Sequence, residues 1–392
     1  MRREVIVLAG PGDPGPASIY WMDHLRHDDS PWGTATLTDP LRSVGGIFRF
    51  WNTLQSLSAA KLIITLHNSL TTNLVMFLKL IGLINAPIVV LELNVKFQEL
   101  SLLAAYLAPL LYSKAHVVTV LSPSDRDAML ALPGWRNTHV CVLNQWAQLG
   151  AFQEAKTGRV MAILEKAGPK YAIAPGRSSR NFDELFHALP LVPEARVIIV
   201  GHLRSPIPKE VRSQVLAIAE LGFHEYIYLL RRARLSLIPL FPVQHTCGIR
   251  VWFQSNALGI PVIITLTEPI LHYSRCGALA LFYRSGEAKA LGEHLARLWN
   301  DDALHDSLST RSLAALESGF GVEAYHTRVV ELAGAVLRCE SARWQFSEEW
   351  QWGPSGVARD QQPMSPTKNP PTAGSGAACD CAEGSGQEGA LS

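Results

Sequence analysis

Apolar residues in this chain come in short unbroken runs separated by longer mixed stretches, and the spacing of the runs predicts the elements. Four runs, Val5–Ala9, Leu62–Leu66, Ile88–Leu91 and Val117–Leu121, fall in the first part of the sequence. Four more, Tyr171–Ala174, Val197–Val200, Leu235–Ile238 and Val262–Thr265, follow after a break. None alternates apolar with polar, as a half-solvated strand would. Continuous runs of this length suit strands covered on both faces, and the stretches between them read as helices. The expected class is therefore α/β, with two doubly wound parallel sheets in tandem. Such sheets leave a cleft between the ends of their strands, where small ligands bind.

A boundary is expected between Leu143 and Pro169, where the chain turns more polar and Gly158 and Gly168 are read as loosening it. This places an N-terminal domain over 1–150 and a second over 169–337. From Cys339 the composition changes. Trp344, Trp350 and Trp352 sit among charges, which reads as a helix over 338–352 packing back on the core, with a protein-binding tail as the alternative. Pro, Gly, Ser and Ala then dominate, so 353–392 is expected to be disordered.

Two stretches, Leu74 to Ile84 and Leu100 to Leu111, are oilier than the rest. Each is short of the roughly 20 residues that cross a bilayer, so no transmembrane anchor is expected. They suit interfacial helices making peripheral membrane contact, and buried helices account for them equally well. The N-terminal apolar run is too short for a secretory signal.

Length and composition narrow the classes. The chain has 392 residues, 48% hydrophobic and 18% charged, which excludes a mainly disordered polymer. Lys and Arg number 35 against 34 Asp and Glu, so general electrostatic capture of nucleic acid finds no support. Six cysteines with no CxxC pair argue against both a disulfide scaffold and a structural zinc site. The expectation is a reduced, cytoplasmic protein.

Candidate chemistry concentrates in two places. The loop at 174–181 follows an expected strand and leads into a helix. Gly176 allows the turn, and Arg177 and Arg180 would stand at the strand's C-terminal end, where paired guanidiniums suit a diphosphate. Two ordinary solvated arginines would show the same spacing. The second place is the stretch from His245 and Thr246 to Gly248, after which Ile249 and Arg250 open a short helix. A helix start after a flexible glycine offers free N–H groups and a positive dipole end to an anion; a simple turn glycine with a solvated Arg250 is the plain alternative. Gly10, Gly12 and Gly15 follow the first strand and should line the cleft, but Pro16 spoils the pattern for a nicotinamide cofactor. His67, Asn68, Glu92 and Asn94 are further strand-end candidates, and His116 reads as structural. Asp125 and Asp127 read as helix-start residues rather than metal ligands, and no metal is expected.

Together these segments resemble the second half of GT-B-fold glycosyltransferases, near glycosyltransferase family 4. Gly176, Arg177, Arg180 and Asn181 match short variants of that family's Gly-Arg loop, and Gly248 with Gln254 to Val262 follows its later pattern. In the first half, the stretch 112–127 resembles the last strand of the acceptor-side domain and the Ser-containing turn after it. The resemblance covers most of residues 1–337. It implies a retaining, metal-independent transfer from a nucleotide-sugar donor held by the second domain to a sugar, glycan or lipid-linked acceptor at the first. Arg177, Arg180, His245 and Thr246 would serve the reaction, and Gly176, Gly248, Ile249, Arg250, Gln254 and Gly12 would hold the ligand. No cofactor is implied. The family's two glutamates, however, are Thr246 and Gln254 here. Gln254 can hydrogen-bond without charge, and Thr246 supplies no carboxylate, for which His245 or Glu268 would have to substitute. A catalytically silent GT-B-like binding protein is therefore the rival reading, and a nucleotide-sugar epimerase of similar fold ranks behind it.

Overall fold

The structure is a computed structural model describing residues 5–9, 32–36, 55–66, 70–93, 102–132, 134–135, 138–150, 152–176 and 178–338. The expected helix at 338–352 and tail at 353–392 lie outside these residues, apart from Arg338. So do Gly12, His67, Asn68, Asn94 and Arg177.

Among the described residues twelve strands form two six-stranded sheets, every recorded pairing parallel. The first contains β1 Val5–Ala9, β2 Trp32–Thr36, β3 Leu62–Leu66, β4 Ile88–Leu91, β5 Val117–Val120 and β6 Val140–Val142, in the order β2-β1-β3-β4-β5-β6. The second contains β7 Ala172–Pro175, β8 Val197–Val200, β9 Val215–Ile218, β10 Leu235–Ile238, β11 Val262–Thr265 and β12 Leu281–Tyr283, in the order β12-β11-β10-β7-β8-β9. All eight expected strands are present. The four that were not expected, β2, β6, β9 and β12, are the two edges of each sheet.

Apart from β2, whose side chains lie outside the described ones, each strand feeds both faces. In the first sheet Ile6, Leu8, Ile63, Val90 and Val118 join one core, with Val75 and Met76 of helix Leu70–Leu80. Their neighbours Val5, Val7, Leu62, Ile64, Val89 and Val117 join another on the opposite face. That second face is covered by the last described helix, Val322–Leu337, through Tyr325, Val329, Leu332, Ala333 and Val336. The chain thus finishes the second half and returns to close the first.

The stretch expected to be loosened by glycines is instead the helix Gly158–Ala167. Thr157 caps it by accepting from Val160 N, and Gly168 ends it at φ 82°. Val160, Ile163 and Ala167 are buried against the second half. The glycines punctuate a helix; they do not dissolve one. The two oily stretches are also helical, Leu70–Leu80 and Leu102–Tyr112. No helix among the described residues is long and apolar enough to cross a membrane.

In the second sheet the strand order reverses between β7 and β10. The loops leaving these two strands therefore diverge at a crevice, the usual ligand position in an open parallel sheet. They are the same two loops that carry the candidate chemistry.

Candidate functional site

The β7 loop is built around Arg180. Its side chain folds back so that Nε donates to Pro175 O at 2.9 Å and Nη1 to Ser178 O at 3.0 Å. The guanidinium lies over Gly176, whose φ is 148°; a Cβ there would stand 2.1 Å from Nε. Only glycine fits beneath it. Ser179 is held at φ 55°, a left-handed conformation that costs a β-carbon residue roughly 1 kcal/mol. The loop is zipped to the end of β10: Asn181 N donates to Pro239 O, and Phe241 N donates to Ser179 O. Arg180 is only 7% exposed, and burial lowers its pKa from the ordinary value. Among the described residues no carboxylate forms an ion pair with it.

The β10 loop ends at Gly248, in a left-handed conformation at φ 83°, as N-cap of helix Ile249–Ala257. A glycine has no side chain to cap with, so the first-turn amides remain available and the positive end of the helix faces outward. Arg180 and this helix start border one concavity of about 160 Å³, lined by Ser178, Arg180, His245, Thr246, Cys247, Gly248, Arg250 and Val251. His245 Nε2 is 3.4 Å from Ser179 Oγ. The result is a small pocket with two guanidiniums and a helix N-terminus, suited to an anion.

The structure thus brings together Arg180, His245, Thr246, Gly248 and Arg250, with Gly176 under the arginine. The Ile249 side chain is buried in the core, which leaves only its backbone for a ligand. Gln254 is half-buried one turn beyond Arg250 and is not among the lining residues. Glu268 is exposed at the start of helix Glu268–Arg275 and is also outside the lining. Glu92 is buried, its backbone N–H bonded to Thr119 Oγ1 at 2.8 Å.

One group stands at the site that the sequence placed elsewhere. Asp125, in the first turn of helix Pro123–Leu130, reaches across from the first half. Its Oδ1 accepts from Thr246 N at 3.0 Å, and its Oδ2 accepts from the Thr246 hydroxyl and from Ser122 Oγ at 2.6 Å. Thr246 and Ser122 are buried. The helix-start role is real, since Ser122 caps Asp125 N. The same residue also brings a carboxylate to the threonine that stands where the resembled family has its first glutamate.

No family model and no curated protein sequence matches the chain. Solved structures do, at low identity. Anabaena HepE, in complex with UDP and glucose, superimposes with a TM-score of 0.59 at 14% identity, over 84% of this chain and 99% of that one. Sucrose-phosphate synthase from Thermosynechococcus elongatus gives 0.61 at 15% identity, over 86% and 100%. A UDP-forming α,α-trehalose-phosphate synthase from Burkholderia vietnamiensis gives 0.58 at 13% identity, over 86% and 100%. The architecture of this chain is the GT-B fold.

Proposed function

We propose that the chain is a glycosyltransferase that moves a sugar from a nucleotide-sugar donor to an acceptor hydroxyl. The observation that carries the reading is Arg180, a buried guanidinium that no carboxylate among the described residues neutralises, beside the uncapped start of helix Ile249–Ala257. An arrangement of that kind is stabilised by a bound anion. When the bond from the anomeric carbon to the diphosphate breaks, the electron pair leaves with the diphosphate oxygen, and the acceptor oxygen bonds to the carbon as its hydroxyl gives up its proton to that departing oxygen. Arg180, Arg250 and the first-turn amides would meet the growing negative charge, with Arg177 adding to them from the same loop. One preorganised donor of this type is worth about 3 kcal/mol. The scheme assigns no step to a metal ion. Retention of configuration is proposed from the family resemblance. That HepE binds UDP and the trehalose-phosphate synthase forms it supports uridine nucleotides as the first to try.

A second reading, a binding protein without turnover, is favoured by one observation. Thr246 and Gln254 bring no carboxylate, and the nearby Asp125 is already engaged by Thr246 and Ser122. A thermal-shift series with nucleoside diphosphates and nucleotide sugars separates the cases. Stabilisation by one nucleotide family is expected, about 2.7 kcal/mol at 100 times the dissociation constant. Arg180→Lys, which keeps the charge but loses the planar fork, should lose most of it. Release of nucleoside diphosphate on adding an acceptor would establish transfer, whereas stabilisation without release would favour the binding protein. No response to any nucleotide at millimolar concentration would remove the transferase and leave a silent protein that binds another ligand or a partner.

A further inference from the structure

Helices Leu70–Leu80 and Leu102–Tyr112 each follow a strand of the first sheet and run back to the edge where the next strand begins. They pack side by side, and Tyr112 Oη donates to Asn73 Oδ1 at 2.7 Å. Val75, Met76, Leu78 and Tyr112 point into the core. On the outer side Phe77, Ile81, Leu83, Leu107 and Leu110 are each 49–54% exposed, and these five make up most of the strongly exposed large apolar side chains among the described residues. A helix pair that only covered a sheet would carry polar groups there.

Among the described residues, the lysines on and beside them are Lys79 and Lys114. Lys79 lies between Phe77 and Ile81, with its Nζ donating to Asn85 O and Ala86 O just before β4. Lys114 follows the second helix, and His116 and His139 precede β5 and β6. These groups are close enough to repel. Lys114 adds to burial in lowering the pKa of Lys79, and Lys79 and His139 do the same to His116. No Asp or Glu occurs in residues 61–91, 100–124 or 128–150, and among the described residues none of the four is in an ion pair.

We propose that this edge of the first half is a docking surface for an anionic lipid bilayer. Apolar tips flanked by Lys79 and Lys114, which pair with no carboxylate among the described residues, match the boundary between acyl chains and anionic headgroups. A nucleic acid would use the lysines and leave five apolar side chains wet. A protein partner of mixed charge would find no acidic group to pair with among the described residues of this edge. The surface is at the N-terminal edge of the strands, whereas the candidate site is at C-terminal ends, so docking leaves the cleft open to water. The proposal does not depend on the transferase reading.

Flotation of the full chain with phosphatidylcholine vesicles, with and without phosphatidylglycerol, tests it. The protein is expected to float with the anionic vesicles, to remain at the bottom with the neutral ones, and to be partly released by high salt. Ile81→Ser combined with Leu110→Ser should lower the partition coefficient at least tenfold, with the thermal midpoint and any nucleotide-induced shift unchanged. Lys114→Glu should weaken anionic binding without removing surface apolarity. Failure of the wild type to float, equal flotation with neutral vesicles, or undiminished flotation of the double variant would overturn the proposal. So would a concentration-dependent dimer that the double variant abolishes, because the occupant would then be a second copy of the chain.

Discussion

Thr246 is where the two halves meet most intimately at the candidate site. A threonine there would be unremarkable if its hydroxyl faced solvent, but it is buried and bonded to Asp125 and Ser122 of the other half. A hydrogen bond to a charged group contributes roughly 1.5–3 kcal/mol. Asp125 therefore fixes the position of the loop that ends at Gly248, and with it the helix start facing the pocket. In a double-mutant cycle of Asp125→Asn and Thr246→Val, we expect a coupling of at least 0.5 kcal/mol by urea denaturation. Additive single effects would mean that the two residues do not act through each other. None of this was legible in the sequence, because the partners are 121 residues apart and Asp125 already had an adequate local role as a helix-start residue. Arg180 is different. Its place at the end of a strand, on a loop facing the crevice, follows from pattern alone. That it is buried and stacked over Gly176 depends on how the loop closes against β10.

Among the elements, helix Glu268–Arg275 carries the clearest pH dependence. His272 sits with Nε2 2.8 Å from Asn144 Oδ1, and its pKa is lowered to about 4, first by burial and then by Arg275. In the unfolded chain it titrates near 6.5. The folded protein therefore binds fewer protons. The stability that neutral His272 contributes is complete above pH 6.5 and is lost as pH falls towards 4, an effect of roughly 3 kcal/mol. His272→Gln should flatten that slope in urea midpoints measured from pH 7 to 4. Parallel curves for the two proteins would show that the imidazole is not held neutral. The elements also show what a hydrophobic pattern can reveal. The eight interior strands are covered on both faces and read as unbroken apolar runs. At the edges β6 is half-buried throughout, and β9 and β12 are mostly so, which removes the constraint that made the interior ones visible. Helix Gly158–Ala167 was hidden for another reason. Its terminal glycines, one at the first helical position and one as the C-cap, look like loop residues unless the i, i+3, i+7 spacing of Val160, Ile163 and Ala167 is followed through.

At the scale of the molecule, the chain is two sheets tied together by a late return. Tyr273 Oη donates to Leu121 O at 2.9 Å and accepts from Gln145 N at 2.7 Å, and Ala147 N donates to Phe320 O at 2.7 Å. Helix Val322–Leu337 then covers one face of the first sheet over β1, β3, β4 and β5. Removing residues 322–392 is expected to leave that face open. The shortened chain should bind a hydrophobic dye such as ANS and lose a melting transition, while the second half keeps its own core. A shortened chain that melts like the full one without binding dye would mean that the helix adds little. The sequence placed this helix with the second half because it is contiguous with it, and no local signal says which sheet a helix will cover.

That return has a consequence for biogenesis. Synthesis proceeds at roughly 5–20 residues per second, so on the order of tens of seconds separate the emergence of β1 from that of the helix that covers it. During that interval the first sheet can form its strand pairs and one core, but its other face has nothing to bury against. The nascent chain therefore presents an adhesive surface for as long as the ribosome needs to make the entire second half, and a ribosome that stalls or terminates before residue 322 releases a chain that cannot cover it. Quality control acting on this protein would have to hold the first half while the second is made.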